Sequence, residues 1–202
     1  ASEGAALKIA IDIDDTLNII ERARYAIAYI EKEGLPFRVV DPFANAFVRV
    51  CDWSEEDVIR FIRAGGAAAF IEALPRAGAQ RTLCRWKEAG HTLIILTARL
   101  KSWFGDPYAI SYEWLTRHGF PFDELVADCE EKGKYCKEHQ IDVLIDDNLT
   151  HCRSAKENGV IPVLAVCRAT EAFRGEFEYV GDDWEGIAAC VAAIAERKGE
   201  RA

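Results

Sequence analysis

The chain has 202 residues, half of them hydrophobic, and a formal net charge of −9. That length suits one domain, or one domain carrying a sizeable insertion, and the apolar content suffices for a substantial core. An acidic chain with no dense Lys/Arg block argues against gripping a nucleic-acid backbone. A small anionic substrate stays open, because a bound metal and local cations can reverse the sign inside a pocket.

Seven cysteines (Cys51, Cys84, Cys129, Cys136, Cys152, Cys167 and Cys190) are scattered and contain no C-x-x-C pair. This speaks against a zinc or disulfide framework and for small core residues in a reducing compartment. The first apolar run is too short to be a secretory signal and contains Lys8 and Asp12. No apolar segment reaches membrane-spanning length, so a soluble, cytoplasmic protein is expected.

Ala5 to Ile13 is rich in β-branched residues and reads as a buried strand ending in Asp12-Ile13-Asp14-Asp15-Thr16-Leu17. Ile19, Ile20, Ala23, Ala26, Ile27 and Ile30 recur at helical spacing up to Gly34. Pro36 and Pro42 punctuate an aromatic stretch, and Ser54 with Glu55, Glu56 and Asp57 reads as a helix start. Val58, Phe61, Ile62, Phe70, Ile71 and Leu74 continue helically, with an interruption at Gly65-Gly66. Residues 18–75 therefore read as an all-helical insertion.

Beyond Pro75, helices are expected over 77–88, 108–118, 133–139 and 150–158, with a final amphipathic helix capped by Asp182 or Asp183. Strands are expected over 92–96, 143–145 and 161–166, with short ones at 125–126 and 179–180. Alternating strands and helices imply an α/β fold: a Rossmann-like parallel sheet with helices on both faces. Residues 1–17 and 76–202 would form that core, and 18–75 the insertion.

Three apolar strands end in residues suited to one polar site. The first ends in Asp12 and Asp14, the second in Thr97, the third in Asp146 and Asp147. Two carboxylates at the end of a buried strand repel each other unless a cation neutralises them. The carboxyl ends of parallel strands are also where open α/β sheets bind ligands. A Mg²⁺-type site is the local reading. Lys132 stands at a helix start, where its charge adds to the positive helix end. Each residue alone has a plainer explanation as a turn, a cap or solvated surface; their order at the ends of successive strands is what singles them out.

The set IAIDIDDTL, LIILT, Lys132-Gly133 and VLIDD resembles the four motifs of the haloacid dehalogenase-like (HAD) superfamily of phosphohydrolases, over roughly residues 6–17 and 76–190. The resemblance implies Asp12 as nucleophile, forming an aspartyl-phosphate, and Asp14 as general acid and base. It implies phosphate binding at Thr97, Ala98 and Lys132. Mg²⁺ would be held by Asp12, the main-chain carbonyl of Asp14 and Asp146, with Asp147 nearby or acting through water. It also makes the insertion a helical cap that selects a small phosphorylated metabolite.

IDIDDTL, LTAR and KG…IDVLIDDN look most like deoxyribonucleotidase-type 5′-nucleotidases and their bacterial relatives, which makes a nucleoside monophosphate a candidate substrate. Sugar phosphates or a catalytically silent binding module are the alternatives. The chain departs from the nucleotidases at Ala98-Arg99, where they carry Ser-Pro. It departs again at Ile110-Ser111, where they carry a phosphate-binding Lys. Arg99 either supplies the missing positive charge or pairs with an acid of the scaffold. Of the insertion's aromatics Phe37, Phe43, Phe47, Trp53 and Phe61, most are read as its own small core, with base stacking as the alternative.

Overall fold

The computed structural model describes residues 4–201. The expected domain limits at residues 1–3 and 202 lie outside that range. The chain begins with β1 (Lys8–Ile11), β2 (Asn18–Ile19) and α1 (Arg22–Glu33). The insertion continues with α2 (Phe47–Val50), α3 (Glu55–Phe61), a π-helical turn (Ile62–Gly66), α4 (Ala68–Ile71) and β3 (Leu74–Pro75). There follow α5 (Ala79–Glu88), β4 (Thr92–Leu96), α6 (Lys101–Phe104), α7 (Pro107–Arg117) and β5 (Glu124–Val126). The last third comprises α8 (Lys132–Glu138), β6 (Val143–Asp146), α9 (Leu149–Glu157), β7 (Ile161–Ala165), a 3₁₀ turn (Glu171–Glu176), β8 (Tyr179–Gly181) and α10 (Trp184–Arg201). No described helix is long and apolar enough to cross a membrane.

Six strands form one sheet in the order β5-β4-β1-β6-β7-β8. Every neighbouring pair is parallel, so all six carboxyl ends lie along one edge. The strand order reverses around β1, which sits between β4 and β6, and such a reversal opens a crevice at the carboxyl edge.

Alternation along the strands divides the core. Ile9, Ile11, Leu93, Ile95, Val143 and Ile145 meet Leu83 and Trp86 of α5, Trp114 of α7, and Trp184, Ile187 and Val191 of α10. Ala10, Ile94, Leu96 and Leu144 meet Cys136 of α8 and Ala155 of α9 on the opposite face. Both faces are thus covered by helices. That is why these strands read as continuous apolar runs.

The insertion has a separate core. Phe47, Val50, Trp53, Val58, Phe61, Ile62 and Phe70 are buried together. Phe47 and Trp53 stack with ring centroids 6.4 Å apart, and Phe61 sits 4.7 Å from Phe47 and 5.3 Å from Trp53. Ser54 and Asp57 form a reciprocal capping box at the start of α3, a device that stabilises a helix by about 1 kcal/mol. The helical run is interrupted where expected, with Gly65 at φ 108°.

Two elements depart from the sequence reading. Asn18-Ile19 pairs antiparallel with Leu74-Pro75 instead of continuing as helix. This ribbon joins the insertion to the sheet domain. Ile19 and Leu74 are apolar yet 56% and 70% exposed, so their hydrophobicity mimicked a buried helical face. The expected loop after β4 contains α6, whose Trp103 and Phe104 pack on the insertion's core. All seven cysteines are free thiols; Cys51, Cys136 and Cys152 are buried and the other four half-buried.

α8 and α9 pack closely enough that a Cβ at Gly133 would lie 2.3–2.5 Å from Ser154 Oγ and its backbone. Real side chains cannot approach that closely, so Gly133→Ala must push α8 outward, and Lys132 with it. Overpacking of this kind costs about 1–3 kcal/mol. Gly133→Ala should lower the urea midpoint accordingly, whereas Gly175→Ala, at a site with open space, should lower it far less.

Candidate active site

β1 delivers Asp12 to the crevice. The Asp12 N–H still donates to the Ile145 carbonyl at 2.9 Å, but the extended chain ends there. The N–H groups of Thr16, Leu17 and Asn18 all turn back to the Ile13 carbonyl. Asp14 is therefore presented from a turn rather than from a strand. Its main-chain carbonyl accepts no hydrogen bond among the described residues.

β6 delivers Asp146 and Asp147 from the neighbouring strand. Asp12, Asp146 and Asp147 are all buried, and each offers a carboxylate oxygen within 4.8 Å of the others. Asp147, expected behind the metal or acting through water, thus stands in the cluster itself. Asp14 directs its carboxylate elsewhere.

Lys132, in the first turn of α8, is buried. Its Nζ donates to Asp12 Oδ1 at 2.6 Å and to Asp146 Oδ2 at 2.7 Å. Its neighbour Lys134 is exposed and reaches only Glu131, at 3.7 Å. Asp146 is held further by the Asn148 N–H at 2.9 Å and by His151 Nδ1 at 3.1 Å. Asp147 meets the Thr16 hydroxyl at 3.4 Å and Nδ2 of Asn45, from the insertion, at 3.0 Å.

Arg99 resolves the choice left by its sequence position. Its Nε and Nη2 grip Asp14 Oδ2 and Oδ1 at 3.0 and 2.6 Å, and its Nη1 donates to Ser111 Oγ at 3.2 Å. The Arg99 side chain is almost fully buried. Thr97 is buried at the end of β4, where its Oγ accepts from the Arg99 N–H at 3.2 Å. Ala98 lines the same crevice, and its N–H has no hydrogen-bond partner among the described residues.

The charges follow from this geometry. Burial pushes the Asp12 carboxyl up to about 7, against the pull of Lys132 and with the help of Asp146 and Asp14. Asp147 is raised well above the usual carboxylate range by burial and by Asp15, Asp146 and Asp12. Burial also opposes ionisation of Asp146, but Lys132 and His151 outweigh it and hold the group low. The same contest at Asp14 is won by Arg99, so its carboxyl is lowered. Lys132 stays protonated because its two carboxylates outweigh its own desolvation.

The crevice encloses a cavity of about 200 Å³. Asp12, Asp14, Thr97, Arg99, Asp146 and Asp147 line its floor, with Arg22, Asn45, Phe47 and Phe70 of the insertion and Trp103 and Phe104 of α6 opposite. A larger cavity of about 630 Å³ lies between α9, β8 and α10. It holds none of these carboxylates; of the cations that line it, Lys198 is paired with Asp142 and Arg197 with Glu178.

Comparison with solved structures aligns nearly the whole chain. A structure described as a predicted phosphatase from Clostridium acetobutylicum is 14% identical, with 94% of this chain and 100% of that chain covered and a TM-score of 0.67. A hydrolase of the haloacid dehalogenase-like family from Streptococcus pneumoniae is 17% identical, with 91% and 97% covered and a TM-score of 0.64. A predicted phosphoglycolate phosphatase from Haemophilus somnus is 15% identical, with 92% and 98% covered and a TM-score of 0.63. The fold is the HAD-like fold. No protein-family model matches the chain, and no curated protein sequence matches it.

On this HAD-like core, Asp12, Asp14, Thr97, Ala98, Asp146 and Asp147 line one crevice, and Lys132 lies buried behind it against Asp12 and Asp146. Arg22, Asn45 and His151 are additional, and the sequence reading does not single them out. His151 had a signal: it lies five residues after Asp146 on the helix that Asn148 caps. Arg22 and Asn45 had none, because only the folding-back of the insertion brings them there.

Three buried carboxylates with only oxygen donors suit a hard divalent cation. Asp147, raised and without a cation of its own, marks the deficit such an ion would fill. Binding would require deprotonation of Asp12 and Asp147, so affinity rises as pH passes upward through about 7. Saturating Mg²⁺ should therefore raise Tm by more at pH 8 than at pH 5, relative to EDTA, since ligand stabilisation grows with [L]/Kd. Equal shifts at the two pH values, read by differential scanning calorimetry, would contradict this account of the acidic cluster.

Proposed function

We propose that this protein is a Mg²⁺-dependent phosphomonoester hydrolase that works through an aspartyl-phosphate on Asp12. The observation that carries the reading is the placement of Lys132. Its ammonium lies 2.6 Å from Asp12 and 2.7 Å from Asp146, buried behind the two carboxylates that line a crevice together with Thr97, Ala98 and Asp14. The HAD-like neighbours, described as phosphatases and hydrolases, support the same chemistry.

In this reading Asp12, Asp146, Asp147 and the main-chain carbonyl of Asp14 would hold the metal, which when bound would supply charge neutralisation for the phosphoryl oxygens and for the carboxylates around them. Lys132 favours the ionised form of Asp12 against the effect of its burial and adds its charge next to the nucleophile. The Thr97 hydroxyl and Ala98 N–H orient phosphoryl oxygens, and phosphoryl transfer depends chiefly on such positioning and neutralisation. Asp12 attacks phosphorus, and the ester oxygen leaves with the proton of Asp14. Asp14, then ionised, takes a proton from the water that cleaves the acyl-phosphate.

Arg99 suits the second of these steps directly, because it stabilises the Asp14 carboxylate. For the first step a phosphate dianion beside Asp14 opposes Arg99 and raises the affinity of Asp14 for a proton. Arg99 fixes the direction of the carboxylate in both.

Residues 18–75 act as the cap over this site, carrying Arg22, Asn45, Phe47 and Phe70 to its far wall. Residues 1–17 and 76–202 supply the core. A cavity of about 200 Å³ falls below the ~300–1,000 Å³ of pockets for drug-sized ligands. This favours a sugar phosphate or another small phosphorylated metabolite. The aromatic wall of Phe47, Phe70, Trp103 and Phe104 supports nucleoside monophosphates as the second reading.

Phosphate release from a panel of small monoesters, with Mg²⁺ and with EDTA, tests the assignment. Asp12→Asn should abolish turnover, and Asp14→Asn should lower kcat by about 10²–10⁴. Metal binding without release from any ester would instead favour a silent binding module.

A further inference from the structure

Of the three clustered carboxylates, the sheet domain itself fixes two. Lys132 holds Asp12 and Asp146, and the Asn148 N–H and His151 add to the hold on Asp146. Asp147 is held differently. Its Oδ1 has the Thr16 hydroxyl at 3.4 Å, near the outer limit of a hydrogen bond. Among the described residues its one close donor is Asn45 Nδ2, 3.0 Å from Oδ2. Asn45 stands 102 positions earlier in the chain, in the insertion. The direction of one carboxylate on the floor is thus set from the roof.

The loop that carries Asn45 is shaped to hold it there. The N–H groups of Val40 and Asp41 both donate to the Val50 carbonyl, at 2.7 and 3.2 Å, which closes the loop at its base. Asp41 Oδ1 accepts from the Phe43 N–H at 3.0 Å, a turn that a short Asp side chain makes with its own backbone. Ala44 and Phe47, on either side of Asn45, are buried in the insertion's core. Between these anchors Asn45 is half-buried and lines the crevice. Phe43 gives the loop a second hold on the sheet domain. The guanidinium of Arg168, in the loop after β7, lies 3.6 Å from its ring centroid. An arginine is attracted to an aromatic face, which accounts for a phenylalanine left 53% exposed. Residues 41–46 therefore strap the insertion to the chain just beyond β6 and β7.

Resting on the metal site of the proposed function, we propose that Asn45 is a positioning residue for that site. It orients Asp147 toward the cation, so that metal binding and docking of the 41–46 strap reinforce each other. The amide suits the task. It adds no negative charge to a crowded acidic cluster, and each carboxylate oxygen that accepts one hydrogen bond keeps a lone pair for a metal. A ligand fixed by an outer hydrogen bond is arranged before the metal arrives. Linkage makes the effect reciprocal: the factor by which the docked strap raises metal affinity is the factor by which metal favours docking.

Two measurements on the full chain test this, and neither needs turnover. Titration calorimetry compares Mg²⁺ binding by the wild type with Asn45→Leu, which keeps the shape of the side chain and removes the donor, and with Asn45→Ala. Both variants should raise the Kd by about 10–100-fold, as loss of such an outer partner typically does. Hydrogen exchange of the wild type, with Mg²⁺ and with EDTA, reads the reciprocal effect without any substitution. Mg²⁺ should slow exchange across residues 41–50 by up to the same factor. In Asn45→Leu that slowing should be lost.

If the wild type binds Mg²⁺ and Asn45→Leu binds it equally well, the role of Asn45 fails and the metal site stands. Tighter binding by Asn45→Leu would mean that Asn45 competes with the metal for Asp147, and would overturn the proposal as well. Weaker binding, with exchange across 41–50 indifferent to Mg²⁺, would reduce Asn45 to a local contact and refute the coupling. Should the variants fail to fold, exchange of the wild type alone decides: no slowing by Mg²⁺ overturns the proposal. A wild type that takes up no Mg²⁺ in calorimetry would sink the metal site and this proposal together.

Discussion

Everything at the carboxyl edge of the sheet depends on one buried ammonium shared by two buried carboxylates. Five aspartates (Asp12, Asp14, Asp15, Asp146 and Asp147) converge where β1 and β6 end, against Lys132, Arg99 and Arg22. Stripping charges of water costs several kcal/mol each, and only close, well-directed partners offset it. Lys132 meets that need for Asp12 and Asp146, Arg99 for Asp14, and Arg22 for Asp15. Asp147 has only Thr16 and Asn45 as polar partners. The cluster is therefore one cation short, and the shortage lies on the residue where a metal would relieve it. The shared ammonium also constrains the scaffold. Lys132 reaches both strands only because α8 starts against them, and α8 lies that close only because Gly133 lets it touch α9.

The sheet and the floor of the site were legible in the sequence for the same reason. A parallel strand covered on both faces is apolar along its whole length, so its end is marked by the first charge. Asp12, Thr97 and Asp146 are such charges or polar residues, and Lys132 is marked by the helix that begins with it. The Ser54 cap and the break at Gly65 follow from local chemistry and were equally readable. The roof was not. Arg22 sits within an apparently amphipathic run, and nothing nearby says that the chain doubles back at Leu74-Pro75 to bring it over Asp14. The ribbon of β2 and β3 was hidden because its apolar residues, Ile19 and Leu74, face solvent. In β6 and β7 the same hydrophobic signal meant burial.

Arg99 shows how the three-dimensional arrangement settles what spacing leaves open. Both readings of this residue were chemically sound, since an arginine beside the Thr97 strand end can meet phosphate or acid. Its three nitrogens are all spent, two on Asp14 and one on Ser111. Ser111 lies in α7, at the place where the resembling nucleotidases carry a phosphate-binding lysine. Here that helix instead supports the residue that holds Asp14. In the proposed function, positive charge for the phosphoryl group would then fall to Lys132 and to a metal held by the carboxylates.

The roof also limits how specificity could change. Phe47 lines the cavity, yet it is packed against Trp53, Phe61 and Phe70 in the insertion's own core. Such ring pairs contribute about 0.5–1.5 kcal/mol each beyond burial. Enlarging the pocket by trimming Phe47 would therefore loosen the insertion that carries it. Trp103 and Phe104 are different in kind. They reach the same wall from α6, outside the insertion, and remain only partly buried. A wider or narrower pocket is reached more cheaply by changing α6 than by changing the insertion. The charge of the roof, by contrast, rests on Arg22, which is carried by α1.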